Sequence, residues 1–170
     1  DRTEDGSEAV AGGRGGASPH MGLVRRERVE LDVVGARTEV PQLVGKKRPD
    51  LVLDAFRALT RGRAVRLLIL GDGPLRQQVQ QRIVDEGLDG RCVLAGHVDN
   101  VFPLMATADV LVLASDYEGF GNVLVEAMAC GVQVVATDCP HGPAEILAGG
   151  RYGQLVPTGD APALAAALAR

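Results

Sequence analysis

The sequence predicts an α/β domain with a doubly wound, Rossmann-like parallel sheet, because short apolar runs alternate with amphipathic segments from residue 29 to residue 170. Several of these runs are continuous and rich in Val and Leu, which is typical of strands that helices cover on both faces. The length of 170 residues, with 46% hydrophobic and 24% charged residues, fits one globular domain.

Six segments have the length and composition of strands, and the last of them has the weakest pattern. The predicted strands are 31–34, 65–70, 92–95, 110–113, 132–136 and 154–156. In open parallel sheets ligands bind beyond the carboxyl ends of the strands. The loops after Leu70, Leu113 and Ala136 are therefore the places to look for a site.

Helical patterns fill the intervals between the predicted strands. The apolar residues Val52, Ala55, Phe56 and Leu59 fall on one helix face. A second helix, with apolar residues at 75, 79 and 83, is expected to begin at Pro74, since proline suits the first helical position.

Three more helices are expected in the second half of the chain. The first covers residues 122–130 and ends at Gly131, which suits a helix C-cap. A short helix follows Gly142-Pro143, and the last one begins after Asp160 and is still running, and so truncated, at Arg170. We expect the domain to be incomplete at both of its ends.

Residues 1–28 show neither helical nor strand periodicity, and we expect them to be disordered.

The three cysteines are isolated and odd in number, which favours a reducing cytoplasm over a disulfide framework or a zinc site. There is no signal-peptide pattern and no apolar run of the ~20 residues that cross a bilayer. A net charge of −4 gives no general attraction for nucleic acid, and we expect no nucleic-acid partner.

The segment from Ser115 to Gly131 carries the strongest chemical pattern. It follows a buried strand, turns through Gly119 and Gly121, and enters a helix whose free N–H groups favour an oxyanion. Glu126 lies about one turn into that helix, so its side chain can project toward the cleft of Glu118. Because a diphosphate would repel a carboxylate, a ribose diol is the better partner for Glu126. Generic chemistry leaves the alternative open that Glu126 only complements the helix dipole.

Glu118 and Glu126 stand eight positions apart around Gly-Phe-Gly-Asn-Val-Leu-Val, and they resemble the E-x7-E motif of the group 1 retaining glycosyltransferases. The resemblance runs from about Leu43 to Arg170. It includes Gly71-Asp72-Gly73-Pro74, the Glu-Ala-Met-Ala-Cys-Gly run, Ala136-Thr137-Asp138-Cys139-Pro140, Gly142-Pro143-Ala144-Glu145-Ile146 and Leu155-Val156-Pro157. It implies the C-terminal, nucleotide-sugar-binding half of a GT-B fold, without the N-terminal acceptor-binding domain.

The resemblance also implies roles for particular residues. Glu118 would lie against the donor sugar as a catalytic residue with Lys47, which would neutralise the leaving diphosphate in the transition state. Glu126 would bind the ribose. The remaining substrate-binding residues would be Gly119, Phe120, Gly121, Asn122 and Val123 around the sugar and diphosphate, His97 and Val98 in the loop near the nucleotide base, and Gly71. Without the family match, Lys47 and His97 would be interpreted as solvated side chains.

The donor implied is a nucleotide sugar, expected to be UDP-linked, and no cofactor or metal is expected, because neither H-E-x-x-H nor D-x-D occurs. The Gly71-Asp72-Gly73 turn has a rival interpretation as a dinucleotide fingerprint. Arg76 occupies the position of the third glycine that this fingerprint needs, which makes a dehydrogenase the weaker interpretation. His141 lies near the same loops and is a weaker candidate for a sugar contact.

The match is imperfect just before Leu43, where the family has Gly-Arg and this chain has Pro41-Gln42. One phosphate-binding cation is then missing, and Arg37 could replace it only through a rearranged loop. We expect the chain to be a fragment, or the product of a damaged reading frame.

The activity implied is sugar transfer to a hydroxyl acceptor with retention of configuration, in the synthesis of cell-envelope polysaccharide or glycolipid. The missing domain would hold a carbohydrate or glycolipid acceptor and make any peripheral contact with the inner membrane face from the cytoplasm. Two alternatives are a nucleotide-binding module without turnover, since half a cleft cannot position an acceptor, and a relative of the sugar-nucleotide epimerases.

Overall fold

The structure is a computed structural model that describes the backbone of residues 28–33 and all of residues 43–170. The disorder expected for residues 1–28 concerns residues outside this part of the chain, except for Arg28, which begins a strand. The departures at Pro41, Gln42 and Arg37 also lie outside it.

Six parallel strands form one sheet in the order β3-β2-β1-β4-β5-β6. The strands are β1 (Arg28–Val33), β2 (Val65–Leu70), β3 (Cys92–Gly96), β4 (Val110–Leu113), β5 (Gln133–Thr137) and β6 (Gln154–Val156). The chain winds outward from β1 to β3 and then returns to pair β4 with β1, so the order reverses between these two central strands. This is the doubly wound topology predicted from the sequence, and the reversal is where such sheets bind ligands.

Among the described residues, five α-helices connect the strands of the sheet and a sixth follows β6. They are α1 (Pro49–Thr60), α2 (Arg76–Asp85), α3 (Phe102–Met105), α4 (Asn122–Ala129), α5 (Pro143–Ile146) and α6 (Ala161–Leu168). A 3-10 turn, Gly45–Lys47, precedes α1, and another, Ala148–Gly150, follows α5. Among these helices none has the length and apolarity to cross a membrane.

The start predicted for α2 is wrong. The helix begins at Arg76 rather than at Pro74, because the Leu75 N–H donates to the Leu43 carbonyl at 3.1 Å and the Arg76 N–H to the Gly73 carbonyl at 3.0 Å. These bonds close a turn before the helix. The strand predicted at 31–34 is instead β1 at Arg28–Val33, and the short helix α3 was not predicted.

Two apolar cores lie on opposite faces of the sheet. Along β4, Val110 and Val112 point to the core beneath α1, α2 and α6, whereas Leu111 and Leu113 point to the core beneath α3, α4 and α5. Successive side chains of a strand alternate between faces, so a strand with four buried residues requires cover on both sides.

Candidate functional site

A buried ion pair joins two loops at the carboxyl edge of the sheet. The Lys47 Nζ lies 2.5 Å from Glu118 Oε1, and the two side chains are only 13% and 9% exposed. Lys47 ends the 3-10 turn before α1, and Glu118 follows β4. The Ser115 hydroxyl donates to the same Glu118 oxygen at 2.5 Å. The two residues predicted to be catalytic are therefore in direct contact, 71 positions apart in the chain.

Backbone and side-chain bonds hold this pair from both sides. The Asp116 N–H donates to the Lys46 carbonyl at 2.8 Å, which links the lysine turn to the loop after β4. The Thr137 hydroxyl, at the end of β5, donates to the Ser115 carbonyl at 2.5 Å. Neither Ser115 nor Thr137 was predicted to belong to the site. The sequence did contain a signal for both residues, because each is a hydroxyl residue at the end of a buried strand and the two strands, β4 and β5, are neighbours.

The loop of residues 118–121 presses against the loop of residues 140–143. A Cβ added to Gly142 would lie 1.7 Å from the Phe120 carbonyl oxygen, so only glycine permits this approach, and its φ of 98° also disfavours other residues. The Tyr117 and His141 rings meet edge to face with centroids 5.5 Å apart. The Phe120 backbone is thereby fixed, while its side chain is 49% exposed.

Helix α4 begins immediately after this loop. Gly121 is its N-cap, Asn122 is exposed at its first position, and no side chain caps its N-terminus. The first N–H groups of a helix have no partner within the helix and carry a partial positive charge. Glu126 lies one turn further on and is half-buried; its carboxylate makes no hydrogen bond or ion pair with residues 43–170. Val123 is buried in the core beneath the helix.

The loops after β2 and β3 form the neighbouring part of the same edge. The Gly71 N–H donates to the Gly96 carbonyl at 2.7 Å, which places Gly71 directly beside the loop of His97 and Val98. His97 is exposed and its Nε2 lies 3.2 Å from Asp99 Oδ1, whereas Val98 packs against the second core. Gly71 and the loop of His97 and Val98 are therefore neighbours in the structure.

The segment that begins at Leu43 connects the loop after β2 to the Lys47–Glu118 pair. The Leu43 N–H donates to the Asp72 carbonyl at 2.7 Å, and a Cβ on Gly73 would lie 2.6 Å from the Leu43 nitrogen. Four residues later the chain reaches Lys47. Residues 43–47 therefore link the turn that contains Gly71 to the ion pair of Lys47 and Glu118.

A buried cysteine beside the pair is chemically quiet. Burial raises the pKa of the Cys139 thiol, and the negative charge of Glu118 raises it further. A thiol with a raised pKa stays protonated at neutral pH and is a poor nucleophile. Covalent catalysis through Cys139 is therefore disfavoured.

The model of the family described as "Glycosyl transferases group 1" matches residues 39–170, a range that includes every predicted site residue. The N-acetyl-alpha-D-glucosaminyl L-malate synthase of Bacillus anthracis is 36% identical over 119 residues, which are 70% of this chain and 31% of that protein. The chain spans 31% of the length of that relative and between 16% and 38% of the length of other curated relatives it matches.

Solved structures show the same architecture. The Anabaena protein Alr3699/HepE, in complex with UDP and glucose, is 28% identical with a TM-score of 0.70, over 82% of this chain and 37% of that one. The C-terminal domain of a group 1 glycosyl transferase from Francisella tularensis has a TM-score of 0.71 at 21% identity, over 82% of this chain and 73% of that domain. The latter likeness concerns the fold, and it matches this chain to a C-terminal domain. The predicted GT-B architecture is confirmed.

Proposed function

This chain belongs to the glycosyl transferases of group 1, and we propose that it is the donor-binding half of a retaining transferase. The whole enzyme would move a sugar from a nucleotide sugar to a hydroxyl acceptor. The observation that carries the proposal is the buried Lys47–Glu118 pair, which lies at the carboxyl edge of the sheet beside the start of α4. The proposed role of this chain is to bind the donor and to stabilise its departing diphosphate.

Lys47 would supply the positive charge that the leaving group requires. When the bond between the sugar and the diphosphate breaks, negative charge develops on the diphosphate oxygen. A fixed ammonium group stabilises that charge more strongly in the transition state than in the ground state, which is the condition for catalysis. The Glu118 carboxylate holds the Lys47 ammonium group, and the bond from the Asp116 N–H to the Lys46 carbonyl holds the backbone beside it. Because the ammonium group is in place before the reaction, little reorganisation is needed.

The diphosphate itself would lie at the N-terminus of α4, against the backbone of Gly119. Apart from its chain neighbours, a Cβ added to Gly119 would meet no atom of residues 43–170 within 4 Å, and the φ of Gly119 lies outside the left-handed region, so this part of the fold does not require glycine there. A glycine without a structural need, at the uncapped start of a helix, leaves room for a ligand to approach the backbone closely.

Glu126 would bind the ribose diol of the nucleotide. A carboxylate accepts hydrogen bonds from both hydroxyl groups of a diol, and the Glu126 carboxylate has no partner among residues 43–170 that would compete. We propose UDP as the nucleotide, as in the Anabaena complex with UDP and glucose. His97, Val98 and Gly71 would then border the base.

The acceptor would be a carbohydrate or glycolipid held by a separate acceptor domain, in the synthesis of envelope polysaccharide or glycolipid. A curated relative from Rhizobium meliloti, 38% identical over 113 residues, carries the name lipopolysaccharide core biosynthesis glycosyltransferase. We propose a cytoplasmic location with peripheral contact at the inner membrane face. The proposal includes no resident cofactor.

Calorimetric titration of the chain with UDP, GDP and ADP tests this function. We expect saturable binding of UDP, with an affinity about tenfold lower in Glu126→Ala, the loss that corresponds to ~1.4 kcal/mol. A folded chain that binds none of the three nucleotides would contradict the proposal. Equal UDP affinity in the wild type and in Glu126→Ala would contradict the role of Glu126.

A further inference from the structure

Arg48 has an unusual backbone conformation directly after the proposed catalytic lysine. Its φ is 50° and its ψ is 53°, in the left-handed region, and it is the residue that precedes α1. This region is sparsely populated by residues other than glycine, and strained residues of this kind cluster at functional sites. The surrounding contacts must therefore hold Arg48 in place.

Two carboxylates hold the Arg48 guanidinium. Its Nε and Nη2 donate to Asp50 at 3.0–3.2 Å, and its Nη1 donates to Asp116 Oδ1 at 3.1 Å. The hydrogen bond to Asp50 raises the pKa of Arg48 above its usual range, although burial opposes this, and the bond to Asp116 adds to the rise. The first contact is local, whereas the second crosses 68 positions of the chain.

The cross-chain contact reaches the residue that already bonds the lysine turn. Asp116 donates its N–H to the Lys46 carbonyl, and it follows Ser115, whose hydroxyl binds Glu118. Asp116 therefore contacts the residues on both sides of Lys47 in the chain. Its N–H bonds the Lys46 carbonyl, and its carboxylate forms an ion pair with Arg48. The Lys47–Glu118 contact lies between the same two loops.

We propose that Arg48 is a positioning residue for sugar transfer, which acts through Asp116 to hold Lys47 against Glu118 before the donor binds. This inference rests on the proposed function. Arg48 fixes the distance between the lysine turn and the loop after β4, and this distance decides where the ammonium group meets the diphosphate. Pre-organisation of this kind improves affinity because the cost of ordering the site has already been met.

Three substitutions separate positioning from a purely local role at the start of α1. Arg48→Gly removes the guanidinium but suits the left-handed backbone, so we expect its urea midpoint to be unchanged or higher. Asp116→Asn removes the cross-loop charge and keeps the backbone N–H. Asp50→Asn is the matched control, because it removes the local partner of Arg48 alone.

We expect UDP to bind about fivefold more weakly to Arg48→Gly and to Asp116→Asn, the effect of one exposed ion pair. Asp50→Asn is expected to bind UDP like the wild type. The double variant Arg48→Gly/Asp116→Asn is expected to lose no more affinity than either single variant, because both single changes remove the same ion pair. Wild-type affinity in Arg48→Gly and Asp116→Asn would overturn the inference, as would an equal loss in Asp50→Asn.

Amide hydrogen exchange distinguishes failure of this inference from failure of the proposed function. If the wild type itself binds no UDP, the proposed function fails, and the exchange rate of the Asp116 N–H still tests the positioning contact. We expect that amide, which donates to Lys46, to exchange faster in Arg48→Gly than in the wild type. An unchanged rate would overturn the inference.

Discussion

Two clusters of charged side chains occupy different parts of this domain, and both are built from arginine or lysine with carboxylates. The site cluster consists of Lys47, Arg48, Asp116 and Glu118. The helix cluster consists of Asp54 and Arg57 on α1, Arg82 on α2 and Glu86 at the C-cap of α2. The residue types are almost the same, so a comparison of their surroundings shows what makes one of them a candidate site.

Placement, and the burial of one ion pair, separate the two clusters. The Lys47 and Glu118 side chains are 13% and 9% exposed. The Arg48–Asp116 pair of the site cluster, 28% and 45% exposed, resembles the Arg82–Asp54 pair of the helix cluster, 28% and 49% exposed. The residues of the site cluster lie in loops at the carboxyl edge of the sheet, beside the uncapped N-terminus of α4. One of them, Arg48, has a left-handed backbone conformation. Helix-cluster residues lie on regular helices, where pairs four residues apart are common. Similar ion pairs therefore link helices in one cluster and link two loops at the proposed donor site in the other.

The largest effect is expected from Lys47→Met. This change leaves the Glu118 carboxylate buried with the Ser115 hydroxyl and without its cation, and we expect the free energy of unfolding to fall by about 3 kcal/mol. UDP affinity should fall by more than about tenfold, because the cation for the diphosphate is lost. Urea denaturation and calorimetry measure the two effects.

Two further variants control that experiment. Lys46→Met removes the exposed neighbouring lysine, and its stability should stay within about 0.5 kcal/mol of the wild type. Lys47→Met/Glu118→Gln removes both charges, so stability should recover while UDP affinity stays low. Recovery of UDP affinity in the double variant would show that Lys47 is a structural residue only.

An intermediate effect is expected from Gly119→Ala, with Gly90→Ala as its matched control. Neither glycine has a left-handed φ, and an added Cβ would meet no protein atom within 4 Å at either position. Both variants should be as stable as the wild type or slightly more so. Only Gly119→Ala should lose UDP affinity, because the added methyl group would keep the diphosphate away from the backbone. We expect a loss of about tenfold, which corresponds to ~1.4 kcal/mol of binding free energy. An unchanged affinity would remove Gly119 from the proposed pocket.

The smallest effect on binding is expected from Arg82→Ala in the helix cluster. Arg82 donates to Asp54 and, at 2.6 Å, to Glu86, so its loss should lower the free energy of unfolding by about 1 kcal/mol, as for partly exposed pairs. UDP affinity should not change. A loss of UDP affinity comparable with that of Lys47→Met would erase the distinction between the two clusters.

The strands that could be predicted from the sequence are those with continuous apolar runs. The bounds expected for β2, β4 and β6 match the structure. Buried Val and Leu residues fill β4 from end to end, whereas the apolar run of β2 is interrupted by the exposed Arg66, and the short β6 begins with Gln154. The start of α2 could not be predicted, because it depends on a bond from Leu75 to Leu43, 32 positions earlier. Local signals at Pro74 do not contain that contact.

The candidate site divides in the same way. Glu118 and Lys47 were both predicted from the family resemblance, but their contact depends on the order of β1 and β4 in the sheet. Arg48 was missed, because no sequence signal shows that a residue other than glycine adopts a left-handed conformation there. The roles of Glu126 and of the residues 119–123 stay predictions, since they concern a ligand.

The most direct test of the central claim, that the carboxyl edge of this sheet is a donor site, is a map of amide chemical-shift changes on addition of UDP. We predict saturable shifts at Gly71, His97 and residues 118–126, with none around Arg82 and Glu86 in the helix cluster. Shifts confined to the helix cluster, or no saturable shifts in a folded chain, would contradict the account.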